Sequence, residues 1–406
     1  MKDKKPAIIA VLSIILVLLL VFIVQDVRTN QSRSSEENAD TNQQPSTEPP
    51  TESDEPDQEA VEEPKAPEVE LPTWNEVGPF ELPIIGAGGY TSIRQNLHEE
   101  PSIEALKITE LTAGTAFSIE NELNDWWQIR TISGETGWLE HRYAMINLPD
   151  IIPSIIYDHL NSYDAKFTSS LVPIPELTGQ SLYDMQGYNE RLNEETFIMP
   201  ILYQTARKVQ AAQQIALQNG ESLKVYETFR PRDVQLLVND ALNRLAETNA
   251  EVKEGITAEP WSMTWFINTS VSNHQRGLAI DLTLVKIDEL SERIIGDYYV
   301  PEILNYTEYQ MQTPFHELST ASAMFTKPIA ARDQEGWRNM ELSSTVTEPA
   351  LRMQNYMTEV GFTPLASEWW HFNDIDALDD LKESAGTGEF RITEVENDPP
   401  KWQEVE

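Results

Sequence analysis

The stretch Ser272-Asn273-His274-Gln275-Arg276-Gly277-Leu278-Ala279-Ile280-Asp281 decides the reading of this chain. Its first half is polar and ends on Gly277, a residue that lets the backbone turn sharply. Its second half opens an apolar run, Leu278 to Val285, that reads as a buried strand. Period-two alternation puts Asp281 on the same strand face as Ala279 and Thr283. A carboxylate pointing inward from an apolar strand is costly unless it is paired or binds a cation. His274 lies in the loop before the glycine, seven residues from Asp281, so that the two can meet at one ion.

Upstream, Ile198, Ile201, Leu202, Thr205, Ala206, Val209, Ala212, Ala216 and Leu217 recur at helical spacing, and Asn219-Gly220 supplies a stop. Leu223 to Phe229 reads as a strand. Pro231 then opens a second helix whose apolar face is Val234, Leu237, Val238, Ala241, Leu242 and Leu245. A third strand is expected after Trp369. Helices and strands interleave without a doubly wound rhythm, so the class is α+β, with a small central antiparallel sheet flanked by helices. No internal repeat is apparent.

The chain contains no cysteine. Disulfides, thiolate zinc sites, thiol nucleophiles and lipidated cysteines are therefore excluded, and chemistry must use hydroxyls, carboxylates, histidines or a metal held by oxygen and nitrogen. Catalytic zinc takes three protein ligands and keeps a fourth position for water. His274 and Asp281 offer two, and His371 in Glu368-Trp369-Trp370-His371-Phe372 is the best third among His159, His316 and His371. Glu368, three residues before His371 and beside two tryptophans, suits a general base with an upward-shifted pKa. Arg230, in Tyr226-Glu227-Thr228-Phe229-Arg230-Pro231, offers a positive fork for a carboxylate or a developing oxyanion. Each residue alone has a plainer reading: a surface histidine, a carboxylate paired with Arg276, an aromatic cluster, a strand-edge cap.

Together, the segments resemble the zinc D-Ala-D-Ala peptidases of the VanY and VanX type, whose pattern is Ser-x-His-x-x-Gly-x-x-x-Asp followed by Glu-x-Trp-His. Here it is Ser272, His274, Gly277, Asp281, Glu368, Trp370 and His371. The resemblance covers most of residues 180 to 375. It implies that His274, Asp281 and His371 bind Zn2+, that Glu368 is the general base, and that Arg230 polarises the scissile carbonyl. Ser272, Trp370 and His316 are then candidate substrate contacts. His316, in Pro314-Phe315-His316-Glu317, departs from the pattern, having His where the dipeptidases usually have Asp; a plain loop histidine is the alternative. The implied activity is D,D-carboxypeptidase cleavage of peptidoglycan stem peptides. The alternatives are a dipeptidase for free D-Ala-D-Ala and a non-catalytic wall-binding protein. Serine D,D-peptidase, hydrolase-elbow and His-Glu-x-x-His signatures are all missing.

The N-terminal third is organised differently. Residues 1–5 form a lysine-bearing tip with Lys2, Lys4 and Lys5, and residues 6–24 are a charge-free, apolar run worth about 28 Å of helix. The run has no small-residue cleavage site, so it reads as an uncleaved transmembrane anchor with a cytoplasmic N-terminus and everything else outside the cell membrane. Residues 25–75 form an acidic, proline-rich stalk; 13 acidic and two basic residues fall between Gln31 and Pro72. Residues 76–147 carry short strands: Ala116–Glu120, a turn over Asn121–Asp125, Trp126–Thr131, the Ser133-Gly134 turn, and Gly137–Tyr143. The order Leu111, Gly114, Phe117, Trp126-Trp127, Ile129, Gly134, Gly137-Trp138 resembles the bacterial SH3-like domains that accompany cell-wall enzymes. This implies an all-β barrel; Trp126, Trp127 and Trp138 read individually as mostly core, and the module as a whole either binds peptidoglycan or serves as a spacer. The zinc peptidase domain is expected over 148–385 and an acidic tail over 386–406.

The formal charge is −38, from 67 Asp+Glu against 29 Lys+Arg. Nucleic acid, which needs a basic face, is excluded as a partner. Residues 73–406 carry −29 of that charge, which weakens any picture of simple attraction to an anionic wall polymer; substrate recognition is expected to rest on shaped contacts, with Arg230 a local positive exception.

Overall fold

The computed structural model describes residues 80–330, 332–381 and 384–401. The expected anchor at 6–24 and the stalk at 25–75 lie outside the described residues. Among those described, no helix is long and apolar enough to cross a membrane. The architecture is α+β.

Seven strands open the described chain: β1 Gly88–Thr91, β2 Gln95–His98, β3 Lys107–Leu111, β4 Ala116–Leu123, β5 Trp126–Thr131, β6 Thr136–Glu140 and β7 Ala144–Asn147. They form one antiparallel sheet with an eighth strand supplied from further along the chain. Alternation fixes what is inside. Trp127, Ile129 and Thr131 of β5 point inward, whereas Trp126, Gln128 and Arg130 are half-buried on the other face. Of the three tryptophans expected in the core, only Trp127 is there, because Trp126 and Trp138 fall on the outward parity of their strands. The expected turn over Asn121–Asp125 is shorter than read. A bulge after Ile119 lets β4 continue to Leu123, and the reversal is made by Asn124, with φ of 52°, and Asp125. The expected strand Gly137–Tyr143 stops at Glu140, and His141–Tyr143 is a turn of 3-10 helix.

The second half is built on another sheet. β8 Ile156–Tyr157 pairs in parallel with β14 Glu221–Glu227, so the sheet is not purely antiparallel as expected. β14 pairs with β15 Ala279–Ile295, which pairs on with β18 His371–Asn373 and β16 Tyr298–Glu308; β17 Thr363–Pro364 lies beyond β18. Two ribbons, β9 Thr168–Ser169 with β10 Val172–Pro173 and β11 Gln186–Asn189 with β12 Glu194–Phe197, lie outside both sheets. Every residue of β14 is buried, as befits its central position. β15 runs far past the expected end at Val285 because its second half pairs with β16 as a hairpin turning at Gly296, φ 57°.

Helix α1, Tyr203–Gln218, begins later than its periodicity suggests. Pro200–Leu202 is strand β13, which adds to β7 at the edge of the N-terminal sheet. Its apolar side, including Ala206, Val209, Ala212 and Leu217, is fully buried, worth roughly 1.5–3 kcal/mol for each Val or Leu. α2, Arg232–Thr248, starts directly after Pro231 and buries Val234, Val238, Ala241 and Leu242, whereas Leu237, expected on that face, is exposed. α3 Ala250–Thr257 is capped by the Asn249 side chain; α4 Glu348–Glu359 and α5 Ile375–Leu381 complete the set.

The described part of the tail crosses back over the molecule. Phe390 stacks on Phe229 at 4.8 Å, Ile392 is buried, and Asn397 donates to Asp150 at 3.0 Å. Asp150 also accepts from the Gly88 amide, Asn147 and Asn189, so one buried carboxylate ties the first sheet, the β11 ribbon and the tail together.

Candidate metal centre

Strand register assembles the site. A bulge after Val225 brings Glu227 of β14 opposite Asp281 of β15, and Asp281 is opposite His371 of β18. Directly opposed residues share a sheet face, so the three side chains form a row at one end of the sheet. His274 reaches the row from a 3-10 turn that ends on Gly277. Gly277 has φ of 70°, and a Cβ there would come within 2.8 Å of Met145 of β7 and 3.2 Å of the Leu202 amide of β13. Only glycine fits this turn, which docks on the first sheet through the Leu202 amide donating to the Gly277 carbonyl at 2.8 Å.

The atoms of three predicted residues converge. His274 Nε2 is 3.1 Å from His371 Nδ1 and 3.2 Å from Asp281 Oδ2, and His371 Nδ1 is 2.8 Å from Asp281 Oδ1. All three residues are buried. The far ring nitrogens are occupied: His274 Nδ1 faces the Thr228 carbonyl at 2.6 Å, and His371 Nε2 faces Asn373 Oδ1 at 3.1 Å. Asn373 Oδ1 also accepts from Asn273 Nδ2 at 2.8 Å, which assigns that atom as the oxygen. In neutral imidazoles these acceptors put the protons on the far nitrogens and leave both near lone pairs aimed at each other and at a carboxylate. Such a donor set fits a divalent cation with nitrogen and oxygen ligands, zinc among them.

Glu368 is buried beside this cluster, with Oε2 3.9 Å from His371 Nδ1. Burial pushes its pKa up to about 8, against the pull of His371, while Asp281 adds to the rise. Burial also opposes ionisation of Asp281, but His274 and His371 outweigh it and hold that group well below the usual carboxylate range.

Arg230 is a fixed fork. Its Nε donates to Glu227 Oε2 at 2.8 Å, Nη1 to Gln235 Oε1 at 2.9 Å and Nη2 to Asp281 Oδ2 at 3.1 Å. Burial opposes the charge of Glu227, but Arg230 holds its pKa down at about 2. In a second group of potential ligands, Glu227, Asp281 and His316, the two carboxylates are thus already bridged by a guanidinium.

His316 is no surface loop histidine. It is buried between Phe167, ring centroids 4.1 Å apart, and Phe315, 3.8 Å apart, with Nε2 3.4 Å from Asp281 Oδ2. Its φ of 60° lies in the left-handed region that side chains avoid. Burial lowers its pKa. Ser272 turns its hydroxyl onto the His274 amide at 3.3 Å, and Trp370 is buried against Phe315 and His316. Arg276, the plainer partner considered for Asp281, does not pair with it.

Arg230, His274, His316, Glu368, Trp370 and His371 line a cleft of about 240 Å³ that also takes in Trp265, Asn268, Arg276 and Arg332. Sequence reasoning assigned no role to Glu227 or Asn373. Both had a signal: Glu227 stands three residues before Arg230, and Asn373 two residues after His371, on the same strand face.

Residues 93–144 match the bacterial SH3 domain family. No curated protein matches the chain. Among solved structures, the chain is similar to a point mutant of the vancomycin-resistance D,D-pentapeptidase VanY from a VanB-type resistance cassette, in complex with Zn(II). Identity is 14%, coverage is 55% of this chain and 96% of that one, and the TM-score is 0.22.

Proposed function

We propose that this chain is a zinc peptidase, anchored in the cell membrane by residues 6–24 and facing outward, that removes terminal D-Ala from peptidoglycan stem peptides. The observation that carries the reading is the convergence of His274 Nε2, His371 Nδ1 and Asp281 beside a buried Glu368. The motif resemblance supplies the substrate class, and the apolar run with its three preceding lysines supplies the location.

His274, Asp281 and His371 would hold the metal. Zinc held there would supply Lewis acidity for the scissile carbonyl and would lower the pKa of the attacking water. Glu368 takes the proton from the attacking water and returns it to the leaving amine, a transfer favoured by a carboxyl whose pKa lies near working pH. Arg230, locked by Glu227 and Gln235, needs no reorientation to donate to the oxygen on which charge develops. Trp265, Phe266 and Trp370 in the cleft wall exclude water around these groups.

One observation favours the carboxypeptidase over the dipeptidase. A free dipeptide brings an α-ammonium that needs an anionic partner, yet Glu368 is the single carboxylate among the described residues lining the cleft. The test is zinc analysis of the purified protein together with product analysis on a defined pentapeptide stem and on free D-Ala-D-Ala. About one zinc per chain and release of D-Ala from the pentapeptide are expected. A protein that binds no zinc, or that cleaves the dipeptide alone, sinks the reading.

A further inference from the structure

The cleft carries more positive charge than the chemistry above consumes. Ten of the fourteen described arginines pair with a carboxylate, as expected where acids greatly outnumber bases. Of the other four, Arg191 donates to backbone carbonyls and Arg207 to the Tyr203 hydroxyl. The remaining two, Arg276 and Arg332, both line the cleft.

Arg276 sits two residues after His274. Its Nη1 donates to Asn273 Oδ1 at 3.2 Å, but its Nε is buried with no partner. Arg332, exposed at the surface, lines the same cleft. Two guanidinium groups lining one cleft, neither paired with a carboxylate and one with a buried donor that has no partner, call for an anion. An anion bound there satisfies the donor, and a carboxylate, with two oxygens in one plane, matches guanidinium geometry. The cleft volume of about 240 Å³ suits a small end group.

We propose that Arg276 and Arg332 clamp the free terminal carboxylate of the peptide whose last bond lies over the His274–Asp281–His371 cluster. This rests on the peptidase reading, which it deepens by assigning the residues that make the enzyme act only at a chain end. Arg230 is committed to the reacting carbonyl, so the carboxylate one residue further on needs a separate partner.

The test uses the full chain, purified in detergent and zinc-loaded, with two peptides that share a D-Ala-D-Ala end, one closing in a free carboxylate and the other in a carboxamide. Wild type prefers the acid. Arg276→Met and Arg332→Met each reduce the acid-to-amide preference in kcat/KM by about tenfold to a hundredfold, as expected for loss of a charged hydrogen bond. The loss falls on KM more than on kcat, and Arg332→Lys recovers part of it. Arg332 is exposed, so its variant carries the test should Arg276→Met fail to fold. A second readout is tryptophan fluorescence on a Glu368→Gln background, where binding of the acid weakens in both arginine variants relative to the amide. Unchanged preference in a wild type that cleaves both peptides overturns the clamp and leaves the peptidase reading standing. Cleavage of neither peptide by the zinc-loaded wild type overturns the peptidase reading, and the fluorescence titration then decides the clamp alone.

Discussion

His371 Nε2 faces Asn373 Oδ1 at 3.1 Å, and this contact orients the ring so that Nδ1 points at His274 and Asp281. An acceptor behind a metal-binding histidine fixes its tautomer and raises its basicity. Asn373→Leu removes the acceptor and is expected to weaken zinc binding by about 10–100-fold, measured by competition with a chelator. Asn373→Asp keeps an acceptor and retains more affinity. Equal affinity in Asn373→Leu and wild type argues against His371 as a ligand through Nδ1.

Glu368 touches the cluster only at its rim, 3.9 Å from His371 Nδ1. Glu368→Gln keeps the shape and removes the proton acceptor. It is expected to lower kcat by about 10²–10⁴ with zinc content per chain unchanged. A variant that keeps wild-type turnover rules out Glu368 as the base.

Arg230 makes three fixed contacts at once, to Glu227, Gln235 and Asp281. A lysine has no planar fork and cannot span them. Arg230→Lys is therefore expected to lower kcat by about 10²–10³, again with zinc retained. A change confined to KM argues that Arg230 binds substrate without assisting the reaction.

The convergence of His274, Asp281 and His371 was legible because the sequence carries it as local spacing: a histidine, a turn glycine and an inward carboxylate within ten residues, then Glu368 and His371 three apart. His371 opens the expected third strand. What local spacing cannot express is pairing between distant strands. The bulge in β14 that sets Glu227 opposite Asp281, and the addition of Pro200–Leu202 to the N-terminal sheet, depend on partners far along the chain. Ile198 to Leu217 keeps one apolar rhythm across a strand and a helix because both are buried, so periodicity alone reads a single helix. Trp126 and Trp127 are adjacent, and only strand parity tells that one is core and the other not. The tail after Phe390 looks soluble by composition, yet Arg191, Asp150 and Arg130 give its polar groups buried or half-buried partners.

Glu81 gives the fold a pH dependence away from the metal centre. Its carboxylate accepts from the Ser154 amide at 2.9 Å and from the Ser154 hydroxyl, and burial raises its pKa from 4.5 to about 7 despite both bonds. In the window between those values the folded state holds a proton that the unfolded state has lost. Glu81's contribution to stability is thus fully present below pH 4.5 and is lost as pH rises through about 7. The loss amounts to roughly 3 kcal/mol. Glu81→Gln stays neutral, so denaturant unfolding should find it more stable than wild type at pH 8, with the difference vanishing towards pH 4.5. Parallel pH profiles contradict a raised Glu81.

Asn397 tests the tie made by the tail. Its Nδ2 donates to Asp150 Oδ2 at 3.0 Å and to Asn189 Oδ1 at 2.9 Å, and its Oδ1 accepts from the Arg191 amide at 3.3 Å. Asn397→Leu leaves buried polar groups with fewer partners, a loss of about 1–3 kcal/mol in urea unfolding. Asn397→Asp keeps the volume but sets a second carboxylate against Asp150 with no donor between them, so it should cost more than the leucine. The order of the two variants matters more than either value. If the tail merely lay on the surface, charge would be the gentler change; if Asn397 is a donor to a buried carboxylate, the aspartate is the worse one.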